Sequence, residues 1–260
     1  MTHPLAQLAS PLRTALDAYG VATGFFSVTG ESEIVELFAV CGADFVVLDM
    51  EAAPMTKREA LHCLQALTGS SCAGVVRVPW LQHHLIEHAL DAGAHGIIVP
   101  KVDTAEQAAA AVAATYFPPI GIRGLNPVRA SAYFTELEAY LAGVNARTTC
   151  FVQIESVESV RNVDEIAAVP GLSGLFIGAG DLAAAFGHPG NPVGADMDDA
   201  RAAVLRACEA NGIVPGIFAY SLELAVQYRR EGFRLIAIGN EIKMLKDATV
   251  DALAAAREQS

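Results

Sequence analysis

The sequence predicts an α/β fold, a single (β/α)8 barrel of the TIM-barrel type. Short apolar runs and segments of helical periodicity alternate along most of the 260 residues. Several runs are nearly continuous in apolar residues, which is typical of parallel strands covered on both faces. Glycines fall where the helical segments should end. Eight strand–helix units in a chain of this length favour a closed barrel over an open sheet.

The eight predicted strands are the apolar runs at Thr23–Ser27, Asp44–Leu48, Ala73–Val78, Gly96–Pro100, Cys150–Ile154, Gly174–Ile177, Ile213–Phe218 and Arg234–Ile238. Between them, apolar residues at i, i+3 and i+4 predict helices over Glu33–Val40, Lys57–Leu67, His83–Ala92, Ala105–Tyr116, Val157–Ala168, Met197–Ala210 and Leu222–Arg230. The longest irregular stretch, Phe117–Thr149, should contain a helix near Phe134–Leu141. A connection of that length within a compact domain is usually functional.

The pattern predicts one domain over residues 1–260. We expect an N-terminal extension over about residues 1–20 and a C-terminal helix over about residues 241–258. No linker, charge block or low-complexity tract indicates a second domain.

Composition excludes several classes of partner. The net charge is −12, with 17 Lys and Arg and no basic run, so neither nucleic acid nor an anionic membrane surface is an expected partner. No apolar run approaches the roughly 18 residues of a membrane span, and no signal peptide is recognisable. Five scattered cysteines without a CxxC pair indicate reduced thiols. We therefore expect a cytoplasmic protein.

Charged side chains follow five consecutive predicted strands, at the barrel end where active sites lie. They are Asp49 and Glu51, Arg77, Lys101, Glu155 and Asp181, the last within the turn Gly178–Asp181. Carboxylates suit a divalent cation, and an arginine suits an anion. Together they suit a 2-oxo acid that chelates a metal, with the metal and Arg77 stabilising an enolate.

Glu155 and Asp181 follow neighbouring predicted strands. If the strands are parallel, the two carboxylates emerge at the same edge of the sheet, about one strand spacing (roughly 5 Å) apart. Two such oxygen donors could hold one divalent ion. In the alternative interpretation, Glu155 caps a helix and Asp181 lies in a solvated turn.

Several ordered motifs carry a resemblance to a known family. They are FVVLDMEAAP, VVRVPW, ALDAGAHGIIVPKVDTAEQA, FPPIGIRG, FVQIES and GLFIGAGDL, and they run from about Gly42 to Gly187. The chain resembles the HpcH/HpaI-type class II pyruvate aldolases, which include the 4-hydroxy-2-oxoheptanedioate and 2-dehydro-3-deoxyglucarate aldolases. It resembles the citrate lyase β-subunit more distantly.

The resemblance implies a Mg²⁺-dependent barrel, with Mn²⁺ or Co²⁺ as alternatives, in a homo-oligomer that is a dimer or a hexamer. It implies that Glu155 and Asp181 bind the metal and that Gln153 contacts the substrate. Gly180 would offer a backbone N–H to the substrate carboxylate, and Arg77 would stabilise the enolate oxygen.

The sequence departs from the family at the positions that move protons. Family aldolases carry a histidine directly after the glutamate of the second strand, where this chain has Ala52. Asp91 matches the carboxylate that supports this histidine, so its partner is missing. Lys101 stands where the family usually has an apolar residue.

The sequence does not decide the roles of three further residues. Lys101 could bind a substrate carboxylate or a coenzyme, pair with Glu51 or Asp91, or form a Schiff base. Glu51 is expected to order metal-bound water rather than act as a general base. Arg123 is either a substrate-loop residue or structural.

We therefore expect an enzyme that makes or breaks a carbon–carbon bond next to a 2-oxo acid, pyruvate or oxaloacetate, through a metal-stabilised enolate. The first alternative is a condensation of oxaloacetate with acetyl-CoA, as in the citrate synthases of siderophore pathways that share this barrel. The second is a non-catalytic relative that binds an oxo acid.

Overall fold

The computed structural model describes residues 10–257 and confirms the closed barrel. Eight parallel strands close in chain order, so that the first strand pairs with both the second and the eighth. The strands are β1 (Ala22–Ser27), β2 (Phe45–Asp49), β3 (Ala73–Arg77), β4 (Gly96–Val99), β5 (Thr149–Ile154), β6 (Gly174–Ile177), β7 (Val214–Ala219) and β8 (Leu235–Asn240). The eight predicted apolar runs coincide with these strands.

The helices lie between the strands and follow them. They are α1 (Pro11–Tyr19), α2 (Ser32–Val40), α3 (Lys57–Ala66), α4 (His83–Asp91), α5 (Ala105–Thr115), α6 (Leu137–Arg147), α7 (Val157–Arg161), α8 (Val163–Ala167), α9 (Ala179–Ala185), α10 (Ala195–Asn211), α11 (Leu222–Glu231) and α12 (Glu241–Arg257). The predicted C-terminal helix corresponds to α12. The first nine residues of the predicted N-terminal extension lie outside the described residues, and the single-domain assignment stays a prediction.

Two helix predictions need correction. The helix expected over residues 157–168 is divided into α7 and α8 at Asn162, whose side-chain amide donates a hydrogen bond to the backbone oxygen of Asp103. The helix expected near residues 134–141 begins only at Leu137. Residues 132–134 have φ values of 53°, 57° and 67°, a left-handed backbone that cannot continue into a right-handed helix.

The barrel has an inner and an outer apolar core. Along β2, Phe45 and Val47 pack inside the barrel, whereas the alternate residues Val46 and Leu48 pack against the helices. Leu12 and Leu16 of α1 belong to the inner cluster, so α1 closes the amino end of the barrel. Burying each leucine contributes about 2 kcal/mol. The opposite end, where the strands finish, is left to form a site.

Within residues 10–257, no helix is long and apolar enough to cross a membrane. The five cysteines are free thiols, and four of them are buried: Cys63, Cys72, Cys150 and Cys208. Burial raises the pKa of Cys63 to about 11 and those of the other three to about 12. These four are therefore unreactive core residues.

Candidate active site

A cavity of about 290 Å³ opens at the carboxyl ends of the strands. Most of the strand ends contribute to its wall, which consists of Phe26, Val28, Asp49, Ala52, Arg77, Gln153, Phe176, Gly178, Ala179, Gly180, Asp181, Phe218, Tyr220 and Asn240. A second cavity of about 390 Å³, on the side of Trp80 and Lys101, is lined by Glu155 and Asp181. Asp181 thus borders both cavities, whereas Glu155 borders only the second.

Glu155 is the buried carboxylate of the site, with 5% of its surface exposed. Its Oε1 atom accepts a hydrogen bond from the backbone N–H of Lys101 at 2.7 Å, whereas its Oε2 atom is buried without a partner. Burial is the main cause that raises the pKa of Glu155 to about 7, helped by the charges of Glu51 and Asp181 and opposed by the Lys101 amide and the charge of Arg77. The positive groups around this carboxylate therefore do not compensate for its burial.

The turn after β6 brings Asp181 next to this glutamate. Asp181 is exposed and lies in the first turn of α9. A Cβ atom on Gly178 would collide with the side chains of Gln153 and Glu155, so only glycine fits at this point. Gln153 is buried, and its Oε1 atom has no hydrogen-bond partner. Two unpartnered oxygens and one exposed carboxylate thus converge on the turn.

Arg77, at the end of β3, is held rigidly by Asp49. Its Nε and Nη2 atoms donate to the two Asp49 carboxylate oxygens at 2.9 and 2.7 Å, and its Nη1 atom lies 2.9 Å from Glu51 Oε2. Burial lowers the pKa of Arg77, but the hydrogen bonds and charges of Asp49 and Glu51 outweigh this effect and raise it. The guanidinium also lies over the Phe26 ring, 5.1 Å from its centroid. It is a permanent cation fixed at the cavity wall.

Lys101 contributes to the site through both its backbone and its side chain. Its φ of 55° is left-handed, and in this conformation its N–H reaches Glu155. The Nζ atom lies 3.5 Å from Glu51 Oε1 and 5.8 Å from the centroid of the Trp80 ring. Of the pairings considered from the sequence, the structure has the one with Glu51.

Three residues that line the cavity or hold it were given no role from the sequence. Asp49 anchors Arg77, and its Oδ1 atom also accepts the N–H groups of Glu51 and Ala52. Tyr220, just after β7, and Asn240, at the end of β8, both line the cavity. Their positions at strand ends were a usable signal, but a tyrosine and an asparagine carry no charge pattern that marks them.

Asp91 and Arg123 do not line the cavity of their own chain, and their expected roles in the site stay predictions. They pair with each other, with Arg123 Nη2 2.6 Å from Asp91 Oδ1. Arg123 is 2% exposed, stacks on Phe117 and donates to the hydroxyl of Tyr140. Asp91 ends α4, which returns the chain to the amino end of β4, so the pair lies at the opposite end of the barrel. Its visible role is to hold the segment after α5 in place.

The geometry defines where a metal would fit. In the described part of the chain, no group of three or more His, Cys, Asp and Glu side chains surrounds a common point. Glu155 and Asp181 supply two oxygen donors, and the orphaned Oε2 atom of Glu155 is a natural ligand. A divalent ion bound by two carboxylates completes its shell with water or substrate oxygens, as Mg²⁺ usually does.

The fold and the cavity are typical of a (β/α)8 enzyme whose site at the strand ends binds a small anionic substrate. Residues 22–248 match the family described as HpcH/HpaI aldolase/citrate lyase, and the chain belongs to this family. It is therefore an enzyme of the aldolase and citrate lyase group.

Relatives agree with this assignment. The chain is 38% identical over 237 residues to 5-keto-4-deoxy-D-glucarate aldolase of Escherichia coli O139:H28 (strain E24377A / ETEC), covering 91% of this chain and 93% of the relative. A solved HpcH/HpaI family protein from Burkholderia cenocepacia J2315 superposes with a TM-score of 0.87 at 38% identity, over 91% and 95% of the two chains. The solved citrate synthase SbnG superposes with a TM-score of 0.86 at 26% identity, over 97% and 99%.

Proposed function

We propose that the protein is a divalent-metal-dependent carbon–carbon lyase of the aldolase type that acts on a 2-oxo acid, pyruvate or oxaloacetate. The observation that carries the proposal is the buried Glu155 carboxylate, whose Oε2 atom has no partner beside Asp181. A cation at this point would relieve both carboxylates. Mg²⁺ is the first candidate because it commonly binds through one or two carboxylates and keeps several water ligands. Mn²⁺ and Co²⁺ are the alternatives.

Each part of the cavity has a task in this reaction. The bound metal would supply Lewis acidity toward the keto oxygen. Arg77, fixed by Asp49, offers its cationic edge to the enolate oxygen as negative charge develops there. The backbone N–H of Gly180 would bind the substrate carboxylate, and Gln153 would contact the substrate. Glu51 pairs with both Arg77 and Lys101 and would order water near a bound metal.

Deuterium exchange tests the enolate directly. Wild-type protein with Mg²⁺ or Mn²⁺ in D₂O should exchange the methyl protons of pyruvate, as followed by proton NMR. Glu155→Ala should abolish exchange, whereas Glu158→Ala, an exposed glutamate three residues further along, should leave it unchanged. Full exchange by Glu155→Ala would show that the metal assignment is wrong.

A second candidate is the condensation of oxaloacetate with acetyl-CoA to form citrate. Two observations favour it: Ala52 leaves the aldolase histidine absent, and Lys101 places a cation beside the site for an extra carboxylate. Thiol release from acetyl-CoA in the presence of oxaloacetate would measure it. Conversely, Ala52→His should raise the rate of aldol cleavage if the aldolase proposal is right, because residue 52 lines the cavity. If the protein shows neither pyruvate exchange nor thiol release, the non-catalytic alternative remains.

The expected homo-oligomer, dimer or hexamer, is part of this proposal. It is supported by exposed apolar side chains in the segment that follows α5, among them Ile120, Ile122 and Leu125. Light scattering would measure the mass, and a monomer at micromolar concentration would contradict the expectation.

A further inference from the structure

Tyr220 is the one tyrosine among the residues that line the cavity. None of the roles proposed for the other cavity residues involves it. It follows β7, lines the same cavity as Arg77 and Gln153, and is 40% exposed. Its ring packs edge-on against Phe218, with 4.8 Å between the ring centroids. Within the described residues, its hydroxyl forms no hydrogen bond to another protein group.

The position of this hydroxyl is set by the turn that should bind the substrate carboxylate. A Cβ atom on Gly180 would lie 2.5 Å from Tyr220 Oη, so the hydroxyl rests against the backbone of this turn. A larger residue at 180 would displace it. The phenol oxygen therefore lies beside Gly180, the residue expected to offer an N–H to the substrate carboxylate.

Tyr220 also lies across the barrel from Arg77. In a closed barrel of eight strands in chain order, β3 and β7 are diametrically opposed. A substrate between them has the guanidinium on one side and the phenol on the other. Ala52 follows β2, next to the strand that carries Arg77. Tyr220 follows β7 and therefore approaches the substrate from a different side of the cavity than Ala52.

We propose that Tyr220 is a catalytic residue that donates its hydroxyl proton to the methylene carbon of the enolate. The inference rests on the proposed function and deepens it. When the carbon–carbon bond of the substrate breaks, its electron pair becomes the enolate π bond and the keto π pair moves onto the enolate oxygen. The hydroxyl proton of the departing aldehyde fragment passes to water at the open mouth. The enolate carbon then takes the proton from the Tyr220 oxygen, the keto group re-forms, and the product is the methyl group of the 2-oxo acid. The O–H electron pair stays on the phenolate oxygen, which water at the open mouth reprotonates.

A phenol suits this task at neutral pH. Its ordinary pKa is about 10, so it is protonated and available as a donor. A positioned general acid contributes roughly a hundredfold to ten-thousandfold in rate.

Tyr220→Phe keeps the ring and its contact with Phe218 and removes only the hydroxyl. Exchange runs the same step in both directions, with the Tyr220 phenolate oxygen taking the methyl proton in the reverse direction. We therefore expect pyruvate exchange in D₂O to fall by at least about tenfold, with the melting temperature and the Mn²⁺ affinity unchanged. Tyr19→Phe is the matched control, because Tyr19 is an exposed tyrosine on α1, at the far end of the barrel. It should retain the full rate.

Calorimetry provides a readout that does not depend on turnover. Oxalate has an oxygen where the pyruvate enolate has its methylene carbon, so it can accept the Tyr220 hydrogen bond. In the presence of Mn²⁺, Tyr220→Phe should weaken oxalate binding by about tenfold and pyruvate binding by less than about threefold.

The outcomes separate the two proposals. If wild-type protein with Mn²⁺ binds neither oxalate nor pyruvate, the proposed function fails, and this inference fails with it. If the wild type binds and exchanges but Tyr220→Phe does so equally well, only the inference is overturned. An equal loss of affinity for both ligands with an unchanged exchange rate at saturation would also overturn it, since Tyr220 would then only bind substrate.

Discussion

Replacing Glu155 by glutamine should stabilise the metal-free protein while removing its response to metal. The pKa of Glu155 rises from 4.5 to about 7 because of burial, so the folded protein disfavours the charged form. This difference corresponds to about 3 kcal/mol of lost stability at pH 8. The penalty is absent below the unfolded pKa, grows as the pH rises and is complete above the folded pKa. Glutamine carries no charge and can still accept the hydrogen bond from the Lys101 amide.

Thermal melts with EDTA and with Mn²⁺ would measure both effects. With EDTA at pH 8, Glu155→Gln should melt roughly 5 to 10 °C above the wild type, and the difference should shrink toward pH 4.5. With millimolar Mn²⁺ the wild type should gain stability and the variant should not. Glu158→Gln, at an exposed position, should match the wild type under both conditions. A variant with the same stability as the wild type in EDTA would refute the burial argument, and a metal response equal to that of the wild type would refute the ligand assignment.

Three further predictions concern charges at the two ends of the barrel. Arg77→Lys cannot form both hydrogen bonds to Asp49, so kcat should fall by at least about tenfold while the Mn²⁺ affinity measured by calorimetry stays unchanged; an unaltered kcat would contradict the role of the paired contact. Lys101→Met should raise KM for oxaloacetate by about tenfold and KM for pyruvate by less than about twofold, because only the former has a second carboxylate; equal effects in steady-state kinetics would argue against that contact. His95 lies at the amino end, where burial lowers its pKa to about 4. The wild type should therefore lose up to about 3 kcal/mol as the pH falls from 6.5 to 4, and urea titrations should show a flatter profile for His95→Asn.

The strands were predictable because their signal is local. Each buried parallel strand needs a run of apolar residues, and the eight runs are separated by helical periodicity and glycine stops. The helix errors arise where tertiary contacts override the pattern. Asn162 interrupts a periodic segment in order to bind the backbone of Asp103, and a left-handed backbone over residues 132–134 delays α6. Periodicity contains no information on either contact.

The site was predictable as far as strand ends bring residues together. Glu155, Asp181, Arg77 and Gln153 all border the cavities at the barrel mouth, as strand order requires. Their roles in binding stay predictions.

Arg123 and Asp91 show what a motif alone leaves undetermined. Both lie in segments that resemble the family, and they pair with each other beside Phe117 and Tyr140, outside the lining of the cavity of their own chain. A motif fixes the residue type, whereas its distance from the site depends on how the long segment after α5 folds back against α4.

Lys101 shows how the reaction could vary while the proposed metal ligands stay the same. The contact with Glu155 is made by the backbone N–H of Lys101, and any residue other than proline can make it. The left-handed φ of 55° costs about 1 kcal/mol, which the hydrogen bond to a buried carboxylate offsets. The side chain is consequently not needed to hold Glu155 and extends toward Glu51 and Trp80, beside the second cavity. A change from an apolar residue to lysine at this position therefore alters the charge that the second reactant meets and leaves the geometry of Glu155 untouched. Under the proposed function, Lys101 and Ala52 would determine which reaction follows, whereas Glu155, Asp181 and Arg77 would stabilise the enolate.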